Sequence, residues 1–202
     1  MDRPIAPYVT PWTGESTPAA PLTVTASGVA YTDPLLDTLA RDLDGVLWAL
    51  CTGTATGKPE YAAELHPDRQ RMAMEGLLCA CCIRPAARNG EGMLWVLPLP
   101  DDADDVRWEG VRTAIPPMCE PCSISAPRLC PRLRDGHVLL RVREAELIGV
   151  RGTLYPRPGS PCPADDDALV LRHSRDEPFV VARQAVRELH GITVVAFAAT
   201  AS

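Results

Sequence analysis

The chain has 202 residues, 46% of them hydrophobic and 23% charged, with a formal net charge of −6. That length accommodates one well-buried core and is short for two, and the composition is ordinary for a globular protein. The acidic balance argues against a general polyanion binder.

Taken in order, the pattern is that of an α+β protein. Residues 1–21 are proline-rich (Pro4, Pro7, Pro11, Pro18, Pro21) and read as an extended arm, leaving 22–202 as a single domain. Residues 22–31 read as a strand, and 33–44 as a short helix with Leu35, Leu36, Leu39 and Leu43 on one side. Residues 46–51 are strand-like and 52–59 a loop. Pro67 opens a helix over the amphipathic run that ends at Leu78, with His66 capping its entry. The turn Asn89-Gly90 then leads into a strand over 93–97. The acidic run Asp101-Asp102-Ala103-Asp104-Asp105 reads as an inserted surface loop.

Within Ile115 to Ser123 the prolines and Glu120 have the character of a helix start, and that helix should run toward Leu129. Strands follow over 138–142, 147–155 and 168–172, with a loop over 156–167. The spacing of Phe179, Val186 and Leu189 predicts a helix over 178–190, stopped by Gly191 and ending on His190; residues 192–197 close the chain as an apolar strand. The segment from Asp44 to Leu50 echoes that from Glu91 to Leu97, which similar strand demands explain.

The most specific motif is a pair of pairs, Cys79-x-x-Cys82 and Cys119-x-x-Cys122. Each lets two thiolates reach one ion from a tight turn, and together they supply four sulfurs with no position left open for water, the pattern of one structural Zn2+. Knuckle, hairpin and cysteine-bearing helix start predict a treble-clef-like or zinc-ribbon-like module over about 66–134. Cys81 and Cys130 are alternative ligands, whereas Cys51 and Cys162 read as small hydrophobes. The N-terminal stretch lacks a signal-like apolar region, and no run approaches the ~18 apolar residues of a membrane span. The expectation is a cytoplasmic protein with reduced thiols.

Other constellations are thin. His66-Pro67-Asp68 together with Pro117 and Cys119-x-x-Cys122 faintly matches a zinc-deaminase signature, but Asp68 would replace the proton-shuttling Glu and Cys79 and Cys82 would have no role. An HNH-type nuclease would need clustered histidines, and His66, His137, His173 and His190 are scattered. The stretch 119–157 is locally basic, with Arg128, Arg132, Arg134, Arg141 and Arg143 as candidate phosphate contacts. Arginine abundance alone is no nucleic-acid signal here: Lys58 is the single lysine and Asn89 the single asparagine, a bias that suggests a high-GC genome.

Gly45-Val46-Leu47-Trp48, the helix around Arg69 to Met74, Cys79-x-x-Cys82, Gly92 to Leu97, Pro116-Pro117-Met118-Cys119-x-x-Cys122 and Cys130-Pro131-Arg132-Leu133-Arg134 together resemble small zinc-binding proteins of actinobacteria and their mobile elements. The resemblance implies zinc binding and brings no activity with it. The residues favour a binding or adaptor module with a protein partner, nucleic acid being the second choice, over an enzyme whose site is assembled from distant residues.

Overall fold

The computed structural model describes residues 6–100 and 107–199. The acidic run 101–105 lies outside the described residues. With elements numbered in chain order, two long strands organise the protein: β9 (Gly136–Leu154) and β11 (Val180–Ala199), antiparallel from Val180 opposite Leu154 to Ala199 opposite Gly136. The other edge of β9 is shared. β7 (Gly92–Pro98) covers its first part and β10 (Asp165–Leu171) its second. The other edge of β11 carries β4 (Leu47–Trp48), parallel, and β8 (Val111–Thr113), antiparallel. β6 (Arg88–Asn89) completes a seven-stranded mixed sheet by pairing with β7 around Gly90. The echoed segments thus lie on opposite sides of the central ladder, β4 beside β11 and β7 beside β9.

Two smaller sheets stand apart. β2 (Leu22–Thr25) and β3 (Gly28–Tyr31) form a hairpin where the sequence suggested one strand, because the chain reverses through Ala26 and Ser27 into Gly28 at φ +146°. β1 (Glu15–Ser16) pairs with β5 (Thr52–Gly53), inside the segment read as loop.

The helices begin where their caps dictate. α1 (Pro34–Ala40) follows Asp33, whose carboxylate accepts from the N–H groups of Leu35 and Leu36. α2 (Pro67–Glu75) starts on a proline whose missing N–H costs the first turn nothing. It buries Pro67, Gln70, Ala73 and Met74, the three-to-four spacing of a single inward face. Met74 joins Trp48, Val150, Val170 and Val180 in the core, and burying side chains of this size stabilises the fold by roughly 1.5–3 kcal/mol each. α3 (Glu120–Leu129) and the short α4 (Pro131–Arg134) follow the second cysteine pair. The protein is therefore α+β, a single compact domain. Among the described residues no helix is long and apolar enough to cross a membrane.

The helix expected over 178–190 is not formed. After a 3₁₀ turn (Glu177–Phe179) the chain enters β11 and stays extended through Gly191. The ladder shifts register between Ala182 and Gln184 and between Val186 and Arg187. At the first shift the extra residue, Arg183, is on β11, and at the second the extra residue, Ile148, is on β9; burial along β11 therefore departs from strict alternation, and Val186, Arg187 and Leu189 are all buried on a strand. Gly191 bends the strand at φ +62° instead of stopping a helix. His190, expected at a helix C-terminus, sits on β11 with its ring nitrogens 3.3 Å from Glu109 and 3.1 Å from Glu188.

Buried polar groups tie α2 to the sheet. Gln70 Nε2 donates to the carbonyls of Ala114 (2.7 Å) and Ala185 (2.8 Å), while its Oε1 accepts from the Ala185 N–H at 2.9 Å. Arg187 reaches back from β11 to the C-terminal end of α2, donating through Nε to Met74 O at 2.9 Å and through its other nitrogens to Ala145 and Glu75 carbonyls. A cation there completes orphan helix carbonyls and complements the helix dipole.

Candidate metal centre

The first cysteine pair is shaped by the end of α2. Beyond Gly76 the chain turns through Leu77 at φ +51°, and a bridge between Leu78 and Pro85 closes a loop around Cys79 to Cys82. Inside it the Cys79 N–H donates to Arg84 O at 2.7 Å and the Ile83 N–H to Cys79 O at 3.0 Å. Ile83 is left-handed at φ +56°, an uncommon state for a β-branched residue that persists only where surrounding contacts impose it.

The second pair begins α3. Cys119 occupies the N-cap position with extended backbone (φ −83°, ψ 157°), and Cys122 lies in the first turn, its N–H donating to Cys119 O at 3.1 Å. Backbone bonds fasten the two turns to each other and to β7: Ala80 N–H to Pro117 O, Ala87 N–H to Met118 O and Met118 N–H to Leu94 O, all 2.9 Å. The N-terminal segment covers this junction, with Tyr8 N–H donating to Cys81 O at 3.0 Å and Val9 N–H to Ala80 O at 3.2 Å. Knuckle, β6–β7 hairpin and α3 succeed one another in treble-clef-like order.

The outcome is a tetrad. The Sγ atoms of Cys79, Cys82, Cys119 and Cys122 all lie within 4.8 Å of one another, and three of the four residues are buried. Cys82 Sγ and Cys119 Sγ are 3.6 Å apart. A disulfide needs about 2.05 Å, whereas tetrahedral zinc with bonds of about 2.3 Å separates its sulfurs by about 3.8 Å. The donor set fits a soft, tetrahedral ion with every position filled by protein.

Electrostatics prepares the site unevenly. The Cys81 thiol donates to Cys79 and, against the effect of burial, so do the N–H groups of Cys119, Cys81 and Cys82, which together hold Cys79 down to about 4. Burial pushes Cys119 and Cys122 up in the ion's absence. Arg84 Nε donates to Cys82 Sγ at 3.5 Å, placing positive charge beside the thiolates. A bound cation would remove the cost of keeping all four sulfurs ionised.

Cys81 and Cys130 stand outside the tetrad. Cys81 is buried and retains its proton as a donor to Cys79, its pKa raised by that bond and by burial. Cys130 is the hinge between α3 and α4, serving as C-cap of one and N-cap of the other. The candidate phosphate contacts are scattered in role. Arg141 is buried and committed, donating to Glu120 at 3.1 Å and to the Ala87 and Gly92 carbonyls. Arg132 donates to Ala62 O at 3.1 Å from an exposed position, and Arg128, Arg134 and Arg143 are exposed.

His66 holds the N-cap position of α2 but makes no side-chain cap bond, contrary to its expected role. A ring nitrogen of His66 instead clusters with Cys51 Sγ and an Asp68 carboxylate oxygen, all within 4.8 Å of one another. This grouping separates His66 from Cys119 and Cys122, so the deaminase-like constellation is not assembled. The sequence placed His66 and Asp68 together; the fourteen residues between Cys51 and His66 gave no spacing signal for the third member.

Comparison with known proteins adds no relative: no protein-family model matches the chain, and neither a curated protein nor a solved structure is significantly similar to it.

Proposed function

We propose that the four cysteines hold one structural Zn2+ and that the protein is a zinc-stabilised binding or adaptor module of the cytoplasm. The observation that carries this reading is the tetrad: four sulfurs close enough for one ion, supplied by two backbone-locked turns. A site closed by four protein ligands cannot present a metal-activated water, so the ion acts on stability and not on a substrate.

A protein partner is favoured over nucleic acid. Supporting this, α1 turns Leu35 (67% exposed) and Leu39 (71% exposed) to solvent, and Leu43 just beyond it is fully exposed, a concentration of apolar surface expected at docking sites. An apolar cavity of about 450 Å3 beside the tetrad, lined in part by Val9, Tyr61, Leu65, Met118 and Leu133, adds a concave surface. Arg141, for its part, is consumed internally.

Elemental mass spectrometry of the purified protein, with thermal melting before and after a strong chelator, tests the scaffold. At least one zinc per chain and a large loss of stability on chelation is the expected result; iron, or no metal, would overturn it. For the partner class, a salt-sensitive shift with DNA or RNA that Arg132→Ala and Arg134→Ala abolish would replace the protein-partner reading.

A further inference from the structure

We propose that Cys51, His66 and Asp68 form a second metal site, distinct from the tetrad, that takes a divalent transition ion such as zinc or cobalt and leaves one coordination position for an exogenous donor. The donors come from two pieces of structure brought together by the fold: Cys51 follows β4, while His66 at the N-cap and Asp68 in the first turn share the start of α2. Thiolate, imidazole and carboxylate within 4.8 Å are the donor types of three-ligand zinc sites, whose fourth position is open. A tetrahedral ion would draw such donors to about 3.4 Å from one another. Asp68 is exposed and free to rotate into that geometry.

An independent observation points to a missing ligand. His66 Nδ1 is buried and, among the described residues, has no hydrogen-bond partner, an arrangement that folded proteins normally avoid. The other ring nitrogen, Nε2, lies 3.7 Å from Glu15 Oε1. Glu15 is itself held by Arg69 at 2.6 and 2.7 Å. With a carboxylate on the Nε2 side of the ring and Nδ1 unpartnered among the described residues, Nδ1 is the nitrogen left to meet an ion. Cys51 and His66 both line a cavity of about 240 Å3, together with Glu15, Thr17, Glu60 and Arg183. A ligand entering it would meet a cation, carboxylates and the open metal position, which suits a small polar molecule with a donor atom.

The site is tested by Co2+ titration of the purified full-length protein, followed by visible absorption and metal analysis. Beyond any metal held by the tetrad, one further equivalent should bind with a thiolate-to-cobalt charge-transfer band. Cys51→Ser should abolish that band, and Asp68→Asn, an exposed and conservative change, should weaken the second equivalent by about tenfold or more. Cys82→Ser should leave the second equivalent in any protein that still folds, which separates failure of the tetrad reading from failure of this one. Absence of a further equivalent, or its persistence unchanged in both Cys51→Ser and Asp68→Asn, would overturn the proposal.

Discussion

Gln70 grips Ala185 on both sides, its Nε2 donating to the Ala185 carbonyl and its Oε1 accepting from the Ala185 N–H. A fully buried amide thus extends the strand ladder by one side chain and fixes how α2 lies on β11. A third bond, to Ala114 O, ties in the segment leading to α3. The two cysteine turns are carried at the end of α2 and the start of α3, so this amide connects the frames of both.

Gln70→Leu should therefore destabilise the protein by about 2–4 kcal/mol, since it strands polar backbone groups at Ala114 and Ala185 in a dry core. Urea unfolding with an unchanged m-value would check this. A loss below about 1 kcal/mol would mean that the amide is not the fastening it looks to be.

Arg187→Met should cost about 2–3 kcal/mol by leaving the Met74 and Glu75 carbonyls without their cation. Arg187→Lys should recover only part of that loss, because a single ammonium cannot span the carbonyls that the guanidinium fork reaches. Equal stability of the lysine variant and the native protein would contradict the argument.

Arg84→Ala is expected to leave the fold intact and speed transfer of zinc from the tetrad to a chelator by about tenfold, as loss of a group hydrogen-bonded to a ligating sulfur generally does. Stopped-flow chelation with a chromogenic dye reads the rate directly.

The Asp37–Arg41 pair predicts an acid-dependent component of stability. Hydrogen bonds from Arg41 at 2.9 and 3.0 Å hold the Asp37 carboxyl below its ordinary value, helped against burial by the Tyr31 N–H at 2.9 Å. Because the folded pKa lies below the unfolded one, the contribution is full above the ordinary carboxylate range, about pH 4, and is lost as pH falls through the folded value. Asp37→Asn should lower the melting temperature at pH 7 and converge with the native protein in strong acid. A difference independent of pH would show that packing, not charge, accounts for the effect.

Gly152 meets β11 so closely that a Cβ there would lie 2.1 Å from Val181 O and 2.8 Å from Ala182 Cα. Gly152→Ala should destabilise by about 1–3 kcal/mol through separation of the central ladder. Thermal melting tests it, and a neutral effect would mean that the ladder yields locally at the nearby bulge.

Features encoded by short-range chemistry are legible in the residues alone. The two CxxC turns, the prolines at the starts of α2 and α3, and the apolar strand after Asn89-Gly90 are specified by spacing and backbone restriction within a few residues, and the fold places them as the sequence reads. The α+β class follows from the same signals. Relationships that span the chain emerge only on folding. Whether residues 180–190 coil or extend was settled by pairing with β9, and the bulges that disguise the strand as a helix have meaning only beside a partner. The meeting of Cys51 with His66 and Asp68, the orphaned His66 nitrogen and the inward turn of Arg141 toward Glu120 likewise depend on which surfaces pack together. Hydrophobic burial is non-directional, so periodicity can announce an apolar face but cannot name what that face will touch.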